Sequence, residues 1–339
     1  MKYKRLGRTG LKVSPICLGA MNYGDPVSEE EATKIINSAF DAGVNFLDTA
    51  DMYSGGQSEE IIGKALKGKR DSFVVATKVC GKSGPGPNDL GLSRKHIMQA
   101  VEGSLKRLQT DYIDVYYTHT PDYDTPIEET LRAFDDLVHQ GKVRYIGCSN
   151  FAAWQLGKAL WVSDLYQLAR FECVEPPYNL LTRDIEMELI PLCESEEVGI
   201  CVYNPLAGEM LTGLHEFGKP PAEGRFTHKL MGPGYTERYW SEMNFKAVDM
   251  FKQAAKDRGC TLAQFAIAWI LNNSAITSVL SGTTATKQLN ENIAAADIVL
   301  TEEEKKICDD AWLMFRPARY HYAKTPDTIK EVPDLRKKK

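Results

Sequence analysis

Apolar residues along the chain come in two alternating textures. Short runs rich in β-branched and aromatic residues recur: ICLGA (16–20), VNFLDTA (44–50), FVVATK (73–78), IDVYYTH (113–119) and VRYIGCSN (143–150). The series continues with FECVEP (171–176), GICVYNP (199–205) and TSVLSG (277–282). Each is brief and apolar nearly throughout, as strands covered on both faces of a parallel sheet are.

Between these runs the spacing changes to that of helices, with legible ends. SEEEATKIINSAFDAG opens at Ser28, a capping hydroxyl, and stops at Gly43. SRKHIMQAVEGSLKRLQ places Ile97, Val101, Leu105 and Leu108 on one stripe. TPIEETLRAFDDLVHQG predicts a helix with Thr125 as N-cap, Pro126 in the first position and Glu128 closing a capping box. Its Ile127, Leu131, Phe134 and Val138 keep helical spacing until Gly141.

Strands alternating with helices fit a closed (β/α)8 barrel, a TIM barrel, or an open doubly wound sheet. The barrel is favoured: no G-x-G-x-x-G follows the first run, and composition never shifts into a second domain. The expectation is one α/β barrel domain over residues 1–339. YKRLGRTGLKVS reads as an N-terminal hairpin turning at Gly7–Gly10 and closing the barrel's bottom. The long gap from Pro205 to Ser278 predicts a lid-like loop insertion after strand 7, at about 207–243, followed by two helices. From about 316 to 339 the helical period is lost, which predicts a C-terminal tail.

Bulk composition narrows the function. The chain has 339 residues, 43% hydrophobic and 26% charged, an ordinary globular balance. A net charge of −5 and a pI near 5.8 argue against a nucleic-acid surface, and the terminal RKKK reads as solvated. The opening MKYKRLGRTGLKVSPICLGA lacks the apolar centre of a signal peptide, and no window approaches the ~20 apolar residues of a membrane span. Eight cysteines form no C-x-x-C pair and no metal spacing, and several sit inside strand-like runs as small hydrophobes. The expectation is a reduced, cytoplasmic protein without a structural metal and without nucleic-acid or membrane partners.

Polar residues gather at the last positions of the apolar runs: Asp48, Lys78, His119, Ser149 with Asn150, Glu175, Tyr203 with Asn204, and Gly282 with Thr283. In a parallel barrel all strand C-termini open on one face, which carries the active site. One short match competes with this reading. Ala76 to Ser83 nearly spells a nucleotide-triphosphate loop, with Lys82 as its lysine. Such a loop must run straight into a helix N-terminus. Here GPGPNDLG follows Ser83, and prolines alternating with glycines do not start that helix. Lys82 is therefore a loop lysine, and Lys78 is the one that faces the mouth.

Asp48, Tyr53, Lys78 and His119, in FLDTADMYSGGQSEEIIGKAL, VVATKV and DVYYTHTPD, resemble the catalytic tetrad of the aldo-keto reductase superfamily. YIGCSNF (145–151), PPYNLL (176–181), YNPLAGEMLTG (203–213) and SGTTATKQLNENI (281–293) extend the resemblance over roughly residues 1–315. The likeness is to a bacterial-type branch and also to potassium-channel β-subunit-like reductases. It implies the same barrel, a small carbonyl or alcohol substrate, and hydride transfer with a nicotinamide cofactor. Tyr53 is then the general acid in reduction and the base in oxidation. Lys78 lowers the phenol pKa, Asp48 holds Lys78, and His119 aligns the carbonyl oxygen.

The resemblance also assigns a cofactor surface. Gly19, Met21 and Asp48 line it, Ser149 and Asn150 bind the carboxamide, and Tyr203 stacks on the ring. Asn204 and Leu206 approach the pyrophosphate, Gly282 and Thr283 start a phosphate-facing helix, and Glu291 with Asn292 reach the adenine. Gln288 stands where many members carry an arginine against the 2′-phosphate, although some branches, including potassium-channel β subunits, use glutamine. Thr283, Lys287 and Arg225 offer further donors, so NADP(H) is preferred to NAD(H).

Glu175 stands where the family usually has glutamine. A carboxylate only accepts hydrogen bonds. Ionised near the ring, it would favour the oxidised cofactor; alternatively it caps a local backbone N–H. The substrate mouth is expected to include Tyr23, Tyr53, His119 and Trp240, beside other aromatics that would equally pin down the insertion. Two other functions fit the pattern: a cofactor-binding redox sensor or auxiliary subunit with little turnover, and a non-redox barrel enzyme.

Overall fold

All eight apolar runs are strands, paired in chain order until the sheet meets its own first edge. The computed structural model describes residues 1–221, 224–229 and 231–315; the tail expected at 316–339 lies outside the described residues. A hairpin comes first, β1 (Lys4–Arg5) antiparallel to β2 (Lys12–Val13). The barrel follows as β3 (Ile16–Gly19), β4 (Phe46–Asp48), β5 (Val74–Val79), β6 (Ile113–Thr118), β7 (Val143–Ser149), β8 (Phe171–Glu175), β9 (Gly199–Val202) and β10 (Ile276–Gly282). All neighbours are parallel, and β10 closes on β3 with Val279 opposite Ile16 and Gly282 opposite Gly19.

One helix separates each pair of consecutive strands from β3 to β9: α1 (Glu29–Asp41), α2 (Gln57–Ala65), α3 (Arg94–Leu108), α4 (Ile127–His139), α5 (Ala153–Tyr166) and α6 (Leu189–Glu196). Three lie between β9 and β10: α7 (Gly232–Tyr239), α8 (Glu242–Arg258) and α9 (Leu262–Leu271). Two close the described chain, α10 (Thr286–Ala294) and α11 (Glu302–Phe315). This is the (β/α)8 barrel that the alternation predicted.

Alternate strand residues point to opposite faces, so the barrel has two cores. Cys17, Phe46, Val74, Ala76, Val115, Tyr117, Cys173, Cys201 and Leu280 form the inner one, with Leu6 and Val13 of the hairpin region packed among them. Their sequence neighbours, such as Leu18, Leu47, Val75 and Tyr116, pack under the helices. Tyr117 of the inner core packs directly on Gly147. A Cβ on Gly147 would lie 2.5 Å from its ring. Gly147→Ala is therefore expected to cost about 1–3 kcal/mol, measured as a lower urea midpoint at unchanged slope.

Helix ends follow the sequence signals with two shifts, the first at α10, which begins at Thr286 behind Ala285 and not at Gly282 and Thr283, because Gly282 is still paired in β10. Ser28 and Ser93 accept from the backbone N–H groups of Glu31 and His96, as capping hydroxyls do. In α4 the N-cap is Pro126, not Thr125, and no capping box forms. The Thr125 hydroxyl donates instead to Asp122 at 2.8 Å, whose carboxylate also collects the Leu92 N–H at 2.7 Å.

The loop carrying Lys82 makes no anion cradle. The Asp89 carboxylate accepts from the Gly86 N–H at 2.8 Å, and the helix that follows this loop begins only at Arg94. Among the described residues no helix is long and apolar enough to cross a membrane.

The insertion between β9 and α8 contains two 3-10 turns, Met210–Thr212 and Arg225–Thr227, and α7. Its aromatic side chains pack on one another. Ring centroids lie 4.9 Å apart for Phe226 and Trp240, 5.1 Å for His215 and Phe226, and 5.2 Å for Trp240 and Phe245. The buried Tyr239 hydroxyl accepts from Asn204 Nδ2 at 2.9 Å and Asn179 Nδ2 at 3.3 Å. The insertion is thus pinned to the loops that follow β8 and β9.

Candidate active site

The two-residue period that builds the inner core also builds the mouth. Two positions beyond a core residue stands a polar or polar-tipped one: Asp48 after Phe46, Lys78 after Ala76, His119 after Tyr117, Glu175 after Cys173 and Tyr203 after Cys201. Ser149 follows Gly147 in the same way on β7. Segments far apart in sequence therefore converge at the strands' C-terminal ends.

At the centre lies Lys78, with no exposed surface. Its ammonium donates to the Asp48 carboxylate and, at 2.9 Å, to the Thr49 carbonyl; Glu175 Oε1 is 3.4 Å away. Burial alone would discharge this lysine, but Asp48 and Glu175 outweigh it and hold the ammonium well above its ordinary range. Burial pushes Asp48 up, and Lys78 pulls it back. Burial and the neighbouring Asp48 push Glu175 up to about 8, against Lys78. Glu175 is thus a second acidic partner of the lysine rather than a cap on backbone.

Tyr53 opens a 3-10 turn (Tyr53–Gly56) ahead of α2. Ser54, Gly55 and Gly56 take φ of 48°, 64° and 93°, all left-handed, and a Cβ on Gly56 would sit 2.8 Å from Arg107 Cδ. The turn swings the phenol over the lysine: Lys78 Nζ is 5.2 Å from its ring centroid, and His119 meets it edge-on at 5.6 Å and 80°. Burial raises the Tyr53 pKa, and although Lys78 opposes this, Asp48 and Glu175 add to it. The net direction is upward because burial outweighs Lys78, which lowers the phenol as the sequence led us to expect but not by enough. Burial and Lys78 lower His119 to about 3, so it is neutral at physiological pH.

A supporting set escaped the sequence reading. Glu59, fully buried on α2, accepts from Thr77 Oγ1 and Arg107 Nε, both at 2.6 Å. The Thr49 and Ser58 hydroxyls share a bond of 2.7 Å, and Ser58 donates to the Ala20 carbonyl at 2.8 Å. These bonds fix the chain on both sides of Tyr53. The available signal was a glutamate on the apolar face that also carries Ile62.

Among the cofactor-side candidates, Ser149, Asn150 and Tyr203 form one network. The Tyr203 hydroxyl donates to Asn150 Oδ1 at 2.7 Å, and Asn150 Nδ2 donates to the His119 carbonyl at 2.9 Å. Ser149 Oγ donates to the Glu175 carbonyl at 2.9 Å. Gly19 ends β3 opposite Gly282, and Met21 is partly exposed just beyond it. Asn204 binds the Gly208 N–H at 2.8 Å, Leu206 is half-buried in the same loop, and Thr283 is buried with its hydroxyl unpartnered among the described residues. Arg225 donates to Asn22 Oδ1 at 3.0 Å, spanning from the insertion to the loop after β3.

Other candidates also bond within the protein. Gln288 Oε1 accepts from the Thr284 N–H at 2.9 Å, Glu291 accepts from the Thr261 hydroxyl, and Asn292 donates to Ser281 Oγ at 2.8 Å. Tyr23 was expected at the substrate mouth but is wholly buried in the helix-side core, where its ring has no surface to offer. Trp240 packs within the insertion's aromatic cluster. A cavity of 560 Å³ opens between residues 151–153 and 184–189, lined by Phe151, Ile185, Met187 and Leu189 among others, with no tetrad residue in its wall.

A model of the aldo/keto reductase family matches residues 15–313. The chain belongs to that family. The span matched by the aldo/keto reductase model contains Asp48, Tyr53, Lys78 and His119 and the segments 145–151, 176–181, 203–213 and 281–293. The chain is similar to an Arabidopsis thaliana protein named probable voltage-gated potassium channel subunit beta, 39% identical over 311 residues, or 88% of this chain and 92% of that one. It is also similar to the uncharacterized oxidoreductase YrpG of Bacillus subtilis, 37% identical over 321 residues, or 91% and 95%. A Schizosaccharomyces pombe relative named putative voltage-gated potassium channel subunit beta is 36% identical over 329 residues, or 94% and 95%.

Proposed function

We propose that this aldo/keto reductase interconverts a carbonyl and an alcohol with NADP(H), Tyr53 moving the proton. The observation that carries the reading is the buried Asp48–Lys78 pair set against the Tyr53 ring, with a neutral His119 at its edge. A bound nicotinamide supplies hydride in reduction and accepts it in oxidation. Tyr53 holds its proton firmly at neutral pH and delivers it to the carbonyl oxygen as negative charge develops there. Lys78 then stabilises the phenolate left behind, and Asp48 and the Thr49 carbonyl keep the ammonium in place. His119 Nδ1 is buried without a partner among the described residues, which suits a group that hydrogen-bonds ligand rather than protein.

The residues present fit the cofactor. Ser149 and Asn150 offer amide and hydroxyl partners, Tyr203 offers a ring face, and the unpartnered Thr283 hydroxyl precedes the N-terminus of α10. Gln288 accepts through its oxygen, which leaves its amide N–H groups as donors for a 2′-phosphate, with Arg225 as a second source. NADPH is therefore expected to bind more tightly than NADH by about tenfold or more, the value of one hydrogen bond to a charged group. Titrating both while following protein fluorescence checks this, and equal affinities would remove the preference.

The same reading places the protein in the cytoplasm with a small-molecule substrate. A panel of carbonyls and alcohols, followed by reduced-cofactor absorbance in both directions, tests turnover. Relatives named as potassium channel β subunits support a second reading, an auxiliary subunit or redox sensor with little turnover. Tight cofactor binding with no turnover across the panel would favour it.

A further inference from the structure

Lys78 faces two carboxyls although one ammonium neutralises only one of them. Glu175 Oε1 lies 3.4 Å from Lys78 Nζ while Asp48 holds the same nitrogen, and both carboxyl groups are buried. Among the described residues no donor reaches the remaining oxygens, Asp48 Oδ2 and Glu175 Oε2, and the two carboxyls lie within hydrogen-bonding reach of each other. With both groups ionised neither oxygen can donate, and the centre carries a net negative charge in an apolar barrel. One proton on Glu175 removes both problems, because it supplies a donor to Asp48 and leaves one carboxylate per ammonium.

We propose that Glu175 is a proton-bearing positioning residue for the tetrad. While protonated, it leaves Lys78 to Asp48 and Tyr53. Once ionised, with its proton lost to solvent, it takes a share of the ammonium and withdraws that charge from the phenol. The consequence for chemistry rests on the function proposed above through Tyr53 alone.

The surroundings isolate this titration. Facing Glu175 are Asp48 on β4, Lys78 on β5, Tyr53 beyond β4, and the thiols and phenols of Cys17, Tyr117, Cys173, Cys201 and Tyr203. Burial raises every one of those thiols and phenols, so they stay neutral through the neutral range. Burial, aided by Glu59, also pushes Asp51 up to about 7; its backbone N–H bonds the Lys78 carbonyl, so it is the control group.

The direct test follows the carbon-13 carboxyl signal of Glu175 in the full chain, assigned by its disappearance in Glu175→Gln. The expected midpoint is near 8, and Asp48→Asn, which removes the competing charge, should lower it by about one unit or more. A midpoint in the ordinary carboxylate range, or one that Asp48→Asn leaves in place, overturns the proposal. Neither readout needs turnover, so they decide it even if no substrate is found. The kinetic arm compares kcat for alcohol oxidation against pH. Above pH 8 Glu175→Gln should exceed the parent by about tenfold, one unit of phenol pKa, and the two should converge at lower pH. Superimposed profiles, or a limb that vanishes in Asp51→Asn instead, overturn the positioning role.

Discussion

If Tyr53 moves the proton as proposed, Tyr53→Phe is expected to lower kcat for carbonyl reduction by about 10²–10⁴-fold, with cofactor affinity nearly unchanged. The magnitude is what a positioned proton donor contributes. The substitution removes one oxygen and keeps the ring that meets His119 edge-on and lies 5.2 Å from Lys78 Nζ, so packing is preserved. Initial rates from reduced-cofactor absorbance, alongside a fluorescence titration of the cofactor, separate chemistry from binding. Retention of more than about a tenth of the activity would show that the proton comes from elsewhere.

Lys78→Met is the substitution expected to cost most stability, about 3–5 kcal/mol at neutral pH, because it leaves two buried carboxyls facing each other without their cation. The loss depends on pH in a defined direction. Without the ammonium, Asp48 and Glu175 both have folded-state pKa values above their unfolded ones. The folded variant then binds more protons than the unfolded chain, so its stability falls as pH rises through the interval between the two values. Urea unfolding at pH 5 and pH 8 should show the smaller deficit at pH 5. A deficit independent of pH would mean that lost packing, not stranded charge, is responsible.

Much of this architecture was legible because parallel barrel strands are covered on both faces. Runs such as VVATKV and IDVYYT stand out as continuous apolar segments, and a polar residue at the end of one points to the mouth. That single regularity located Asp48, Lys78, His119 and Ser149. What escaped depends on contacts between segments that no local pattern records. Thr125 looked like a helix cap until Asp122 folded beside it. Glu59 and Arg107 belong to different helices and meet only because α2 packs on α3. The upward shift of Tyr53 was missed for the same reason: its largest cause is burial, which arises only when separate segments close around the ring, and which outweighs the lowering by Lys78. Aromatic content suggested a substrate cleft around Trp240, but composition alone does not say whether rings stack on a ligand or on each other.

Below the ionic centre the barrel is floored with sulfur. Cys17, Cys173 and Cys201 have no exposed surface, and burial raises all three thiols far above the neutral range. A thiol in that state does not react with alkylating reagents, since the thiolate is the nucleophile. Modification of these three sulfurs therefore waits for the staves to part, and its rate serves as a built-in clock for how often the whole cylinder opens.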